Sequence, residues 1–221
     1  MIPRKGIFVS GTDTHIGKTV TSALLVSALK SNGIPAGYFK PIQTGPDSDT
    51  QTVTTLAALS RQEFVPPVYY FPQPLAPSQA AELNQSVIEL ENVRRSWQEL
   101  PRRTWVVEGA GGLLVPLNAK QTIRDLVQLL ELDLMVVAST RLGTINHTLL
   151  TLEAAQTKGI QVRGIVLVGE PNAMLVKTIS NFHPEVPIIQ VPPIERMDAE
   201  ETNRVASVVF AKAVLEGAHG S

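Results

Sequence analysis

The segment Gly11-Thr12-Asp13-Thr14-His15-Ile16-Gly17-Lys18-Thr19 combines glycines, hydroxyls, an acid and a lysine directly after an apolar run and at the start of a helical pattern. In that setting the N–H groups of the loop and of the first helical turn can cradle phosphate oxygens. Lys18 is then the group that reaches the β- and γ-phosphates, and the Thr19 hydroxyl is a Mg²⁺ ligand. Gly17 lets the backbone pass close to the anion where a Cβ would obstruct it. Five residues separate Gly11 from Gly17, one more than in the common GxxxxGK[ST] loop, so Thr12 takes the usual first-glycine position. A helix start with an incidental lysine is the bland alternative, and the strand–loop–helix context argues against it.

Three further segments carry polar residues at the ends of apolar runs. Phe39-Lys40-Pro41-Ile42-Gln43-Thr44-Gly45 places a lysine where burial without a partner is costly. At the C-terminal end of a strand in an open α/β sheet, Lys40 points toward the ligand crevice. Asp49 opens the next helical pattern and reads either as an N-cap or as a hard oxygen donor for Mg²⁺. Glu108, in Val106-Val107-Glu108-Gly109-Ala110-Gly111-Gly112, ends an apolar strand before a glycine-rich turn, the Walker-B arrangement serving Mg²⁺ or its water. Thr19, Asp49 and Glu108 form a candidate magnesium set. In Arg141-Leu142-Gly143-Thr144-Ile145-Asn146-His147, free N–H groups at a helix start suit a carboxylate. No Ser/Asp partner pattern makes His147 a triad member.

Positioning these residues requires alternating strands and helices. Apolar runs at 6–10, 37–42, 104–107, 134–138, 164–168 and 187–191 read as strands, most of them apolar on both faces. Helical patterns occupy 18–31, 49–60, 87–100, 123–130, 145–158, 173–182 and 199–215. Asn32-Gly33 and Lys158-Gly159 resemble C-caps, and Ser86 and Asp198 resemble N-caps. The expected fold class is α/β: a doubly wound, mostly parallel sheet flanked by helices, with a P-loop NTPase fold. The proline-rich stretch 64–77 reads as a long surface loop. One domain is expected over 1–216, with a frayed tail at 217–221.

Composition narrows the function. Hydrophobic residues make up 43% and charged residues 18%, as in an ordinary globular protein. A formal net charge of −1, with Arg94-Arg95 and Arg102-Arg103 as the densest basic runs, argues against nucleic acid and anionic membrane as partners. The absence of cysteine excludes disulfides, thiolate metal sites and a Cys nucleophile. No apolar stretch approaches the about 20 residues that span a bilayer, and the N-terminus lacks the pattern of a signal peptide. A soluble, cytoplasmic protein is the expectation.

The four polar segments together resemble the dethiobiotin synthetase family, whose recurring text is GTDT-x-x-GKT, KP-x-x-[ST]G, VEGAGG and LG-x-INH. All four occur here in that order and at similar spacings over nearly the whole chain. The GKT alone is weakly specific, whereas the conjunction with the lengthened loop is highly so. The resemblance implies an ATP-consuming, Mg²⁺-dependent cyclo-ligase of biotin biosynthesis that makes dethiobiotin from 7,8-diaminononanoate and CO₂. It implies nucleotide contacts from Thr14, His15, Ile16, Gly17, Lys18, Thr19 and Val20, and from Asp49, Glu108, Gly109, Ala110 and Gly111. At the base end it implies Val168, Gly169, Pro192, Pro193 and Ile194. Lys18 and Lys40 match the family's catalytic lysines, and Thr19, Asp49 and Glu108 its metal set. Thr12, Lys40 and Thr44 match its substrate contacts. Gly143, Thr144, Ile145 and Asn146 match a helix start that a neighbouring subunit supplies to the substrate carboxylate, which implies a homodimer. Two positions depart from the family: many members have Glu at His15, and some carry an adenine-reading Asn at the position of Val168.

The competing reading is a switch ATPase of the partitioning or septum-positioning type. Those proteins place a second lysine early in the loop, and 11–17 contains none; nor has 200–215 the strongly basic face of a membrane-binding tail. A cobyrinate-type amidotransferase synthetase lacks support without a Cys nucleophile.

Overall fold

In the computed structural model, which describes residues 5–210, strands and helices alternate along the chain: β1 (Gly6–Gly11), α1 (Lys18–Ser31), β2 (Ala36–Phe39), β3 (Ile42–Thr44), α2 (Asp49–Leu56), β4 (Phe64–Val65), β5 (Tyr69–Phe71), α3 (Pro77–Leu83), α4 (Leu90–Glu99), β6 (Thr104–Gly112), α5 (Ile123–Leu129), β7 (Asp133–Ser139), α6 (Thr144–Gln156), β8 (Val162–Val168), α7 (Ala173–Phe182), β9 (Ile188–Val191) and α8 (Ala199–Val209). Seven strands form one sheet in the order β4-β2-β6-β1-β7-β8-β9, and each of its pairings is parallel. Such a sheet is stable only with both faces covered, which is why its strands are apolar on both sides. Ile7, Val9, Tyr38, Val106, Met135 and Val137 pack toward α1, α2 and α8. Phe8, Phe39, Trp105, Val107, Leu134 and Val136 pack on the other face, with side chains from α3 to α7. The period of two along the strands sorts their side chains between the two cores, except across the irregularities in the β1–β6 and β7–β8 registers.

Several elements differ from the sequence expectation. The run 37–42 is two strands, because Pro41 has no N–H to continue the ladder. Its carbonyl instead accepts from the N–H groups of Val68 and Tyr69, at 2.9 and 3.1 Å. The stretch 64–77 is not a plain loop. It holds β4, which pairs with β2, and β5, which pairs with β3 in a separate parallel ribbon. Its prolines fall outside both strands, and Pro77 sits in the first turn of α3, where its missing N–H is harmless. Helix α3 itself was hidden by that proline-rich context. Ser86 is not an N-cap: its N–H closes the end of α3 on the Ala81 carbonyl, and α4 starts from Glu89. Strand β6 does not stop at 107, since its backbone keeps pairing with β1 as far as Gly11↔Gly112. Glu108 therefore stands within a strand, opposite Val9. Helix α2 ends at Leu56, short of Ser60. The later part of the helix expected at 199–215, and the tail at 217–221, lie outside the described residues. No helix among the described residues is long and apolar enough to cross a membrane.

Candidate active site

The loop between β1 and α1 lies at the C-terminal edge of the sheet. Gly17 has φ +95° and His15 φ +52°, so the loop twice enters the left-handed region before the helix starts. For His15 this is an uncommon backbone state for a side-chain-bearing residue. A Cβ on Gly17 would stand 3.0 Å from Val168 Cγ1 as well as forcing an L-residue into that conformation. A Gly17→Ala variant is therefore expected to bind nucleotide about tenfold more weakly, the equivalent of roughly 1–2 kcal/mol of backbone strain. Calorimetric titration with ADP checks this, and unaltered affinity would show that the loop tolerates the side chain.

The catalytic candidates converge on Glu108, a carboxylate only 1% exposed. Lys40 follows Phe39, the residue paired with Val107, so strand register alone brings it beside Glu108. Its Nζ donates to Glu108 Oε1 at 3.0 Å and to the Gly109 carbonyl at 3.4 Å, and lies 2.5 Å from Asp49 Oδ2. The Thr19 hydroxyl donates to Asp49 Oδ1 at 2.8 Å and to Glu108 Oε1 at 3.2 Å. Ser22 and Tyr38 donate to Glu108 Oε2 at 2.7 and 2.9 Å. Lys18 Nζ donates to the Asp13 carbonyl at 2.8 Å.

Charge and burial set the protonation states. Burial pulls the Lys18 ammonium down to about 8, with Glu108 partly opposing that shift. For Lys40, burial also acts downward, but the charges of Glu108 and Asp49 and their hydrogen bonds prevail and hold it above the ordinary lysine range. Asp49 is pushed up by burial and pulled down further by Lys40 and Thr19, ending below the ordinary carboxylate range. The buried Tyr38 phenol lies well above its ordinary value, through desolvation first and the nearby Glu108 and Asp49 charges second.

Two clefts flank the loop. One, of about 510 Å³, runs from His15, Ile16, Gly17 and Val20 past Val168 and Gly169 to Pro192, Pro193 and Ile194. This unites the loop with the residues expected at the base end. Gly169, at φ +135°, is a position where a Cβ would collide with the Thr140 hydroxyl. The other cleft, of about 390 Å³, is lined by Thr12, Asp13, Thr14, Leu113–Pro116 and His147 among others. Thr12 and Thr14 thus face a different cavity from His15. Gly109, Ala110 and Gly111 continue β6 beyond Glu108. Thr44 ends β3; its side chain makes no hydrogen bond among the described residues, though its carbonyl accepts from Gln43 Nε2. Gly143–Asn146 opens α6, between Arg141 in the larger cleft and His147 in the smaller one. There Ile145 and Asn146 are exposed, and the buried Thr144 hydroxyl lacks a partner among the described residues.

Sequence reasoning missed Ser22, Tyr38 and Gln43, whose Oε1 accepts from the Asp49 N–H at 3.3 Å. It also missed Ser139, Thr140, Glu170 and Met197 in the larger cleft, and gave Arg141 there no role. Two signals were available: Ser22 follows Thr19 by three on one helix face, and Tyr38 precedes Lys40 by two on one strand face.

No three side chains of His, Asp or Glu gather into a cation site among the described residues. The hard oxygens that do converge, from Thr19, Asp49 and Glu108, suit Mg²⁺, which completes its shell from substrate phosphates and water.

A phosphate loop at the C-terminal edge of a parallel sheet, with a strand-borne acid beside the loop threonine, defines a P-loop nucleotide hydrolase or ligase. Residues 5–201 match the profile of the family described as AAA domain. The fold is similar to the MinC:MinD cell division complex of Aquifex aeolicus, with a TM-score of 0.57 at 13% identity over 98% of this chain and 94% of that one. At that identity the likeness concerns the fold alone. The chain is 45% identical over 178 residues to an ATP-dependent dethiobiotin synthetase BioD of Nitrobacter hamburgensis, covering 80% of each. It is 39% identical over 200 residues to the biotin biosynthesis bifunctional protein BioCD of Bordetella avium, covering 89% of this chain and 41% of that longer protein. The chain belongs to the ATP-dependent dethiobiotin synthetase family.

Proposed function

We propose that the protein makes dethiobiotin from 7,8-diaminononanoate, CO₂ and ATP. The observation that carries this reading is the joining of Lys40, Asp49, Thr19 and Glu108 in one hydrogen-bonded cluster beside the phosphate loop. One substrate amine adds to CO₂ and loses a proton, giving a carbamate. A carbamate oxygen attacks the γ-phosphorus, ADP leaves, and a carbamic–phosphoric anhydride results. The second amine attacks its carbonyl carbon, phosphate departs with the electron pair of the broken C–O bond, and the cyclic urea closes.

In this mechanism the protein orients two weak reactants and offsets charge. Lys40, held cationic by its carboxylate neighbours, faces the carbamate and transferring phosphoryl oxygens. Lys18 neutralises the β- and γ-phosphates. Thr19, Asp49 and Glu108 hold Mg²⁺, which when bound supplies positive charge at the phosphates. The larger cleft takes the nucleoside, with Pro192–Ile194 flanking the base and Val168 offering no amide to read it. Thr12, Thr44 and a neighbouring subunit's Gly143–Asn146 take the diamine and its carboxylate. On this reading the working unit is a homodimer of single-domain chains in the cytoplasm. The exposed Leu142, Ile145 and Leu150 around that helix start support a covered surface there.

The test is phosphate release from ATP, omitting diamine and bicarbonate in turn, with dethiobiotin identified by mass spectrometry. Release is expected only with both components. Hydrolysis indifferent to the diamine would return the switch-ATPase reading, for which the MinD-like fold is the available support. Repeating the assay with CTP and GTP is expected to show discrimination of less than about tenfold, because the side chain at Val168 makes no hydrogen bond to a base.

A further inference from the structure

Glu108 receives four side-chain donors, and they are divided unequally in kind. Both donors to Oε2 are uncharged hydroxyls from the protein interior: Ser22 at 2.7 Å and Tyr38 at 2.9 Å. Both donors to Oε1 belong to the reacting cluster: Thr19 at 3.2 Å and Lys40 at 3.0 Å. Ser22 and Tyr38 are themselves fully buried. Tyr38 stands opposite Val106 in the β2–β6 ladder, and α1 carries Ser22 over the same face of the sheet. The two hydroxyls come from different elements, so their lines of approach cross at one oxygen.

A carboxylate oxygen has two lone-pair directions, and two good hydroxyl donors occupy both. We infer that Tyr38 and Ser22 are positioning residues that lock Oε2 of Glu108 inward, so that Oε1 alone is presented to Thr19 and the phosphate site. Lys40 alone cannot do this. An ammonium binds either carboxylate oxygen as a point charge and is shared with Asp49. Without the hydroxyl pair, the Glu108 carboxylate turns about its terminal torsion, which is broad. The donor atom facing the loop threonine then spends less time in place. The inference rests on the reading of Glu108 as a group that serves the magnesium nucleotide.

Tyr38→Phe keeps the ring and its packing, and Ser22→Ala keeps the helix, so each variant removes one hydroxyl with little loss of volume. The measurement is the Mg²⁺ concentration that half-saturates tightening of a fluorescent ADP analogue, which needs no turnover. Affinity for the analogue in EDTA and melting temperature are recorded alongside. Each single variant is expected to raise the Mg²⁺ half-saturation by about tenfold, the usual effect of removing a partner behind a metal-binding group, and the double variant by more. Affinity in EDTA stays within about twofold, because no phosphate contact is lost. Unchanged Mg²⁺ dependence in the folded variants, whatever their melting temperature, would overturn the positioning role and leave a structural one. Glu108→Gln serves as the control. If it leaves the Mg²⁺ dependence unmoved, the reading of Glu108 fails and the inference with it. If it raises the dependence while Tyr38→Phe and Ser22→Ala do not, the inference alone fails.

Discussion

Replacing Lys40 by Ala is expected to lower turnover by about 10²- to 10³-fold, the range seen when one preorganised donor to a developing negative charge is removed. Nucleotide binding survives, since the loop, the larger cleft and Lys18 stay in place. The structure adds a second consequence. Lys40 lies between Asp49 and Glu108, and Glu108 is buried with it. Its loss leaves two facing carboxylates without their shared cation, at a cost of about 3–5 kcal/mol of stability. Divalent metal with ADP should restore part of that loss by binding only the folded state. Denaturant unfolding with and without Mg²⁺ and ADP measures this, and Lys40→Met, which keeps the apolar stem, separates lost charge from lost packing. Wild-type turnover in either variant would remove Lys40 from the mechanism. A stability unaffected by the substitution would mean that the two acids are solvated in the folded protein.

Lys18 produces the second large effect, and pH reveals it. Its ammonium is held at about 8 because burial disfavours the charged form. Below that pH it is protonated and attracts the phosphates; above it, the charge is lost. Affinity for ADP, measured by calorimetry in EDTA so that metal does not intervene, is therefore expected to fall above about pH 8, approaching tenfold per unit. Folding stability responds in the opposite sense. Between the folded value near 8 and the ordinary value of 10.5 the unfolded chain binds more protons, so the contribution of Lys18 to stability rises with pH across that window. Lys18→Met should bind ADP at least about 10²-fold more weakly, as expected for truncating one partner of a desolvated charge pair, and should abolish both trends. A flat pH profile in the unaltered protein would mean that Lys18 keeps its charge throughout, in contact with solvent.

Much of this arrangement was legible in linear text. The strand–loop–helix context of 11–19, the acid after the apolar run at 104–107 and the lysine at 40 each pointed to one edge of an α/β sheet, and all three stand there. What could not be read was where backbone pairing would stop. Pro41 ends β2 one residue after Lys40, yet the glycines after Glu108 do not end β6, because β1 supplies a partner backbone as far as Gly11. Proline removes a donor wherever it occurs, whereas a glycine turns or stays extended according to its neighbour. The stretch 64–77 misled for the same reason: its short strands exist only because β2 and β3 offer them open edges.

The sequence by itself determined the phosphate loop and the parallel sheet, through local spacing and hydrophobic period, and it marked Lys18 at a helix start, and Lys40 and Glu108 at strand ends, as candidates. Asp49 read equally as an N-cap; the structure gives that cap to Ser48 and sets Asp49 against Lys40 and Thr19. Only the tertiary structure decided how the two lysines differ. Lys18 and Lys40 are equally basic as text, but Lys18 is buried with one carbonyl as its close partner, and Lys40 is buried between two carboxylates. Desolvation prevails in the first case and charge in the second, so one ammonium falls to about 8 while the other rises. Tyr38 and Ser22 likewise read as ordinary core residues until the fold sets both hydroxyls against one oxygen of Glu108. A side chain's partners come from elements far apart in the chain, and the partners, more than the residue type, settle which charge is held and which way it faces.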